Sequence, residues 1–333
     1  MIKIDGSFGE GGGQILRTAV ALSCITGKEV EVFNIRASRP KPGLAPQHLK
    51  GIEAAKLISN AQVEGLRLGS TRIVFKPRSV RGGDYKIDIG TAGSVTLILQ
   101  TILPPLLIAD KPSRLELIGG TDVAWSPSID YFEKVTLRAL RDMNCYPRLK
   151  IVARGYYPKG GGKVILEVDP GKLQGYEFLE LKDKIEGVSH CQNLPEHVAI
   201  RQKESLIRFL MEKGLSAEIK VEVLSGISTG SGITVWSGYK GGSALGEKGK
   251  RAEEVGLEAA RNFYAEFSTK AAFDSHLADQ IMVFGAIASG RTRYTTTKIT
   301  GHQKSNRYVI NSFLGEILKL DESERIVEIK GTG

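Results

Sequence analysis

Two stretches of the chain repeat one order of apolar and polar positions. Residues 4–23 read IDGSFGEGGGQILRTAVALS and residues 87–106 read IDIGTAGSVTLILQTILPPL. Laid over one another, they place Asp5 on Asp88, Ile15-Leu16 on Ile98-Leu99 and Arg17 on Gln100. Each predicts a short strand, a glycine-containing turn and an apolar helix. A β-branched strand follows at Glu29–Ile35 or Arg114–Ile118, then a polar loop from Arg36 or Gly119. A second helix is predicted in each copy, over Gln47–Ser59 and over Tyr131–Met143. Two strands close each unit, Ala61–Leu66 with Arg72–Lys76 and Leu149–Arg154 with Lys163–Val168. The repeat is a βαβαββ unit, a mixed sheet with two helices on one face.

A third copy begins near Phe178-Leu179-Glu180-Leu181, yet its apolar helix comes only at residues 277–288. Between them the pattern predicts a strand at Lys184–Val188, a helix at Glu196–Lys213, strands at Ala217–Leu224 and Ile233–Tyr239, and a helix at Glu247–Phe267. That suffices for a small separate α/β domain. The third copy then resumes with a strand at Arg293–Lys298, a polar loop at Gly301-His302, a helix at Ser305–Leu318 and a strand at Arg325–Lys330. The expected fold class is therefore α/β, in finer terms α+β. Residues 1–182 plus 270–333 form a three-repeat body, and residues 183–269 form an inserted domain. If the three units pack together, the loops at Arg36, Asp122 and His302 should converge on one site.

Composition narrows the function. At 333 residues, with 41% hydrophobic and 25% charged residues, the chain can bury a sizeable core. Its three cysteines are an odd number with no CxxC pair, which speaks against a disulfide framework and for a reducing, cytoplasmic setting. A net charge of +9 favours polyanionic partners.

Three constellations could carry chemistry. Gly9-Glu10-Gly11-Gly12-Gly13 opens into a helix, where unpaired N–H groups bind phosphate, and Glu10 could hold Mg²⁺ or Mn²⁺ beside it. The segment from Arg36 through Arg39 and Lys41 to Gln47-His48 is a proline-stiffened basic loop suited to phosphate oxygens. His302 follows a strand, and His276, Asp279 and Gln280 share one helix face as its candidate partners. Each has a plainer reading, as a β-to-α turn, a solvated loop and a surface histidine with a helix cap. His190 and His197, with Cys191 between them, fit no standard zinc spacing and read as structural. Trp125, Tyr131, Tyr156 and Tyr157 could stack on a base or simply pack.

Taken together, these residues resemble the RNA 3′-terminal phosphate cyclase family. The resemblance runs from Asp5-Gly6 through Glu10 to Arg17, then through Ile35-Arg36-Ala37, Lys41-Pro42-Gly43-Leu44 and Gln47-His48-Leu49. It continues at Arg81 to Tyr85, Gly119 to Asp122, Gly155-Tyr156-Tyr157-Pro158-Lys159-Gly160-Gly161-Gly162 and Leu277-Ala278-Asp279-Gln280. It implies three units like the C-terminal domain of bacterial translation initiation factor three, with a thioredoxin-like insertion. It also implies a ligase that consumes ATP with a divalent metal. A histidine, here His302, takes AMP and passes it to an RNA 3′-phosphate, which then closes to a 2′,3′-cyclic phosphate.

By the same match Glu10 assists the metal, while Arg17, Gln100 and His276, Leu277, Ala278, Asp279 and Gln280 contact ATP. Arg36, Arg39, Lys41, Gln47 and His48 hold phosphates of ATP or the RNA end. The implied partner is RNA with a 3′-phosphate, with no membrane, and a homo-oligomer stays open. The alternative is a noncatalytic cyclase-like protein of ribosome assembly, against which His302 with Asp279 and Gln280 argues.

Overall fold

A computed structural model describes residues Met1–Gly333. The first unit comprises β1 (Ile2–Asp5), α1 (Gly13–Thr26), β2 (Val30–Phe33), α2 (Pro46–Ser59), β3 (Gln62–Glu64) and β4 (Ile73–Lys76). Its sheet runs β1-β2-β4-β3, with β1 and β2 parallel and β4 antiparallel to both neighbours. Local chemistry sets the helix ends. Gly27 terminates α1 in a left-handed conformation (φ 67°), and Pro46 opens α2 where its missing N–H costs nothing.

The second unit comprises β5 (Asp84–Asp88), α3 (Val95–Leu106), β6 (Ser113–Gly119), α4 (Ile129–Tyr131), a π-helical turn at Phe132–Thr136, α5 (Leu137–Asp142), β7 (Arg148–Ala153) and β8 (Gly162–Val168). Its order, β5-β6-β8-β7, is that of the first unit. There follow β9 (Ile185–Gln192), α6 (His197–Glu212), β10 (Ala217–Leu224), β11 (Gly230–Ser237), β12 (Lys240–Leu245) and α7 (Ala252–Phe267), with the sheet ordered β10-β9-β11-β12. The third unit has α8 (Leu277–Ile287), β13 (Arg291–Thr295), α9 (Gly301–Leu314), β14 (Leu318–Asp321) and β15 (Ile326–Lys330), ordered β13-β15-β14.

The strand expected at Phe178–Leu181 is reduced to two parallel bridges just upstream, Gln174 with Ser289 and Glu177 with Arg293. They occupy the position that β1 and β5 hold in the other units. The helix expected at Ser305–Leu318 starts four residues earlier, at Gly301, and Leu318 already belongs to β14. Thr300 explains the shift: its side chain accepts the Gln303 N–H at 3.2 Å and caps the helix at the supposed loop. The strand expected at Ile233–Tyr239 is one arm of a β11–β12 hairpin whose second arm, Lys240–Leu245, lacks helical or strand periodicity because it begins with Lys-Gly-Gly.

Helices meet in the middle. α1 packs on α2, α3 and α9, and α8 packs on α9. One core of 62 buried residues runs through all three units, whereas a second core of 11 lies wholly between Ile185 and Phe263. Tyr239, between β11 and β12, places its hydroxyl on Asp142 (2.8 Å) and its ring against Phe178 and Phe273. No helix is long and apolar enough to cross a membrane.

Candidate active site

His302 is the second residue of α9, half-exposed, and lies between two carboxylates. Its Nδ1 is 3.1 Å from Asp279 Oδ2 and its Nε2 is 3.2 Å from Glu10 Oε2. The bond to Asp279 favours the imidazolium and raises the His302 pKa above its ordinary value, against the effect of burial. When the ring is neutral, Asp279 keeps the proton on Nδ1 and leaves the Nε2 lone pair facing the Glu10 side.

Asp279 is itself positioned by the start of α8. Asp274, fully buried, accepts the N–H groups of His276 (3.0 Å) and Leu277 (2.7 Å), the Tyr131 hydroxyl and the Gly241 N–H. This residue was not picked out from the sequence, although an Asp just ahead of an apolar helix is a capping signal.

Across from His302 lies the glycine turn. Gly9 and Gly11 take left-handed φ values of 61° and 57°. Gly12 caps α1 without a side-chain bond, so no side chain of the cap residue satisfies the first amides of the helix. A Cβ on Gly13 would collide with His48 Nε2, and one on Gly12 would touch the Arg39 guanidinium at 3.4 Å. His48 Nδ1 accepts the Ala45 N–H at 3.2 Å, so the neutral ring carries its proton on Nε2, against the turn. Burial, then the charges of Arg17 and Arg36, push its pKa down to about 3.

Arg17 donates to the neutral Gln14 amide at 2.6 Å, and its Nε is buried without a partner. Burial pulls its pKa down to about 10, opposed by Asp279. A guanidinium desolvated without an ion pair, beside a helix N-terminus and a neutral N–H donor, is a built site for an anion such as phosphate.

Asn306, one helical turn beyond His302, joins the two halves. Its Oδ1 accepts the Thr18 hydroxyl (2.7 Å) and the Gln14 amide (3.2 Å), and its Nδ2 donates to the Asp279 carbonyl (2.9 Å). The i, i+4 spacing from His302 was the only trace of this role in the sequence.

The other expected residues divide. Gln47 lines a cleft with Arg17, His48 and Thr101. Gln100, half-buried on α3, precedes Thr101 but does not line that cleft. Arg36 spends one N–H on the Gly43 carbonyl (2.9 Å), closing the basic loop, while Arg39 and Lys41 are exposed. His276 is exposed at the head of α8, whereas Leu277 and Ala278 have fully buried side chains. Gln280 accepts the Thr136 hydroxyl at 2.8 Å and so faces the second unit.

Asp122 belongs to a different cluster from His302. Arg154, 2% exposed, bonds Asp130 (2.6 and 3.1 Å), Asp122 (3.3 Å) and Glu222 (2.9 Å). His190 is buried and shares a 2.7 Å hydrogen bond with the Tyr156 hydroxyl. Asp122, Asp130 and His190 bring ligand atoms within 4.8 Å of one another, a donor set that could hold a divalent cation. The Arg154 guanidinium already lies against both carboxylates. Tyr131 and Tyr156 are packed, but Trp125 and Tyr157 are exposed.

The model of the family described as RNA 3′-terminal phosphate cyclase matches residues 8–320. An RNA 3′-terminal phosphate cyclase of Archaeoglobus fulgidus is 65% identical over 328 residues, covering 98% of this chain and all of that protein. Proteins of the same description from Methanosarcina acetivorans and Pyrococcus furiosus are 46% and 47% identical, over 99% and 96% of this chain and 99% and 95% of theirs. Among solved structures, an EPSP synthase of Acinetobacter baumannii aligns at 12% identity and a TM-score of 0.27, over 95% of this chain and 80% of that one, which bears on nothing here. Matched along nearly its whole length by the family and by its relatives, this chain belongs to the RNA 3′-terminal phosphate cyclases and is an enzyme of the ligase type.

Proposed function

We propose that this protein uses ATP to convert an RNA 3′-terminal phosphate to a 2′,3′-cyclic phosphate, with His302 as the nucleophile that carries AMP. The placement of His302 between Asp279 and Glu10, opposite a glycine turn flanked by Arg17, whose Nε has no partner, supports this reading.

In the first step His302 Nε2 attacks the α-phosphorus of ATP and the bond to the β-phosphate oxygen breaks, releasing pyrophosphate. Asp279 keeps the Nδ1 proton and faces the positive charge that develops on the ring. A terminal phosphate oxygen of the RNA then attacks the same phosphorus and displaces His302, leaving AMP joined to the RNA end. Finally the 2′-OH attacks the terminal phosphorus, AMP departs, and the hydroxyl proton passes to solvent. Arg17, the α1 amides and the His48 Nε2–H would bind the phosphates, with Arg36, Arg39, Lys41 and Gln47 toward the RNA end. Gln100 and the His276–Gln280 segment would lie on the ATP side. A divalent cation fits the exposed Glu10 carboxylate, where Mg²⁺ or Mn²⁺ would neutralise phosphate charge.

The common strand order of the units supports the likeness to initiation factor three. The order β10-β9-β11-β12, with helices after β9 and β12, supports a thioredoxin-like insertion over 183–269 within a body of 1–182 and 270–333. The cytoplasm is the compartment this reading implies.

Mass spectrometry after incubation with ATP and Mg²⁺ or Mn²⁺ tests the proposal. It requires one AMP on His302, absent in His302→Ala and discharged by 3′-phosphate RNA but not by 3′-OH RNA. A normal adduct in His302→Ala would remove the assignment.

A further inference from the structure

Phe8 sits in the β1–α1 turn with 41% of its surface exposed. Its ring stacks on Tyr308 of α9, with centroids 4.3 Å apart and planes at 22°. Tyr308 is held in turn, because its hydroxyl accepts the Asp5 N–H at 3.1 Å. One face of Phe8 is thus backed by a fixed ring while the residue stays open to solvent.

The turn also runs along α9. Glu10 lies against Gly301, a Cβ on Gly9 would meet the Ser305 hydroxyl at 2.8 Å, and Phe8 covers Tyr308. At 1.5 Å per residue, the Phe8–Tyr308 stack is roughly 9 Å along the helix from His302.

The stereochemistry of the reaction decides which base arrives there. Displacement at phosphorus is in line, so pyrophosphate leaves opposite His302. The RNA phosphate that next expels His302 must approach the same phosphorus from the same side. It therefore takes the place that pyrophosphate vacated, against the glycine turn, Arg17 and Arg39, while the adenosine stays where it was. The partnerless Nε of Arg17, the exposed Arg39 and the net charge of +9 suit an incoming polyanion. Phe8 is part of that same turn.

We propose that Phe8, backed by Tyr308, is the stacking platform for the unpaired nucleobase at the 3′ end of the RNA, so that the enzyme selects single-stranded termini. This rests on the cyclase reading above. Stacking on an aromatic ring requires the base to be free of its partner strand and tolerates any of the four bases.

The test is a double-mutant cycle between protein and RNA. Phe8→Leu keeps an apolar side chain on Tyr308 but removes the aromatic face, and Phe8→Trp keeps that face. Each is assayed on 3′-phosphate oligonucleotides that are intact, abasic at the terminal nucleotide, or abasic at the next one. Phe8→Leu is expected to raise KM for intact RNA about 5- to 100-fold, with Phe8→Trp close to wild type. The terminal abasic RNA should cost wild type a similar factor, and Phe8→Leu should add nothing to it.

An undiminished Phe8→Leu penalty on the terminal abasic RNA would overturn the proposal. So would a cycle that closes on the penultimate base, or a raised KM for ATP in place of RNA, which would give the ring to adenine. Failure of wild type to react with intact RNA would count against the cyclase reading itself. Normal wild-type turnover matched by Phe8→Leu on every RNA would count against the stacking platform alone.

Discussion

Asn306 of α9 accepts the hydroxyl of Thr18 of α1 at 2.7 Å, a bond that spans 288 residues of sequence. Both residues are buried, and the same amide holds the Asp279 carbonyl. The bond fixes the glycine turn of the first unit relative to the histidine of the third. Asn306→Ala leaves the Thr18 hydroxyl, the Gln14 amide and the Asp279 carbonyl short of a partner, at about 1–3 kcal/mol for each group left unsatisfied. The expected result is a lower Tm together with slower self-adenylation. Unchanged melting and rate would show the bond to be dispensable.

Asp279 governs the pH dependence. Its bond raises the His302 pKa, so the imidazolium persists to higher pH and the neutral ring, the nucleophile of the proposed mechanism, is lost as pH falls through that raised value. Self-adenylation should therefore decline on the acid side. In Asp279→Asn the acid limb should move to lower pH, because the charge that favoured protonation is gone, while the plateau falls for want of a charged partner at Nδ1. Rates of AMP incorporation across pH decide it, and an unmoved limb would dissociate Asp279 from the titration.

Two glycines separate steric need from chance. A Cβ on Gly13 collides with His48 Nε2 and comes within 3.2 Å of the Arg17 guanidinium, so Gly13→Ala should displace both and cut self-adenylation at least about tenfold, a barrier increase of ~1.4 kcal/mol. On Gly51, inside α2, a Cβ meets only Ile98 and Thr101 at 3.7 Å, ordinary contact. Gly51→Ala should be neutral or stabilise by about 0.5–1 kcal/mol. Thermal melts alongside AMP incorporation would expose a reversal of this order.

Arg154 is the cation of a buried cluster. Arg154→Ala leaves Asp122 and Asp130 facing one another without it, a change worth about 3–5 kcal/mol when one partner of a buried ion pair is removed. A large fall in Tm is expected, with partial recovery on adding Mn²⁺ or Zn²⁺, since Asp122, Asp130 and His190 then offer their ligand atoms free of the guanidinium. A Tm that ignores the metal would mean that the cluster serves the arginine alone.

Much of this protein was legible from the order of its residues. The repeated strand, turn and helix appear because side-chain periodicity reports which face of each element is buried, and the two complete copies fold with one strand order. The third copy's apolar helix stands displaced in the sequence, and a cluster of 11 buried residues lies between Ile185 and Phe263. Glu10, His48, Asp279 and His302 stand out through local chemistry, as carboxylate among glycines or histidine beside a turn, whereas Arg17 is reached only through the family resemblance. The limits of such reading are equally specific. Thr300 turned a supposed loop into the first turn of α9, because one side-chain oxygen on one N–H settles where a helix starts.

The tertiary structure alone decided which loops meet. Asp122 pairs with Arg154 in its own unit and lies 3.5 Å from His190 of β9, whereas Glu10 reaches His302 across almost the whole chain. Asn306 and Asp274 take their meaning from partners on other elements. Hydrophobic periodicity specifies that a face is buried; it carries no record of the surface that covers it. Which helix packs on which, and hence which polar groups find one another in the dry interior, is settled by packing over long separations.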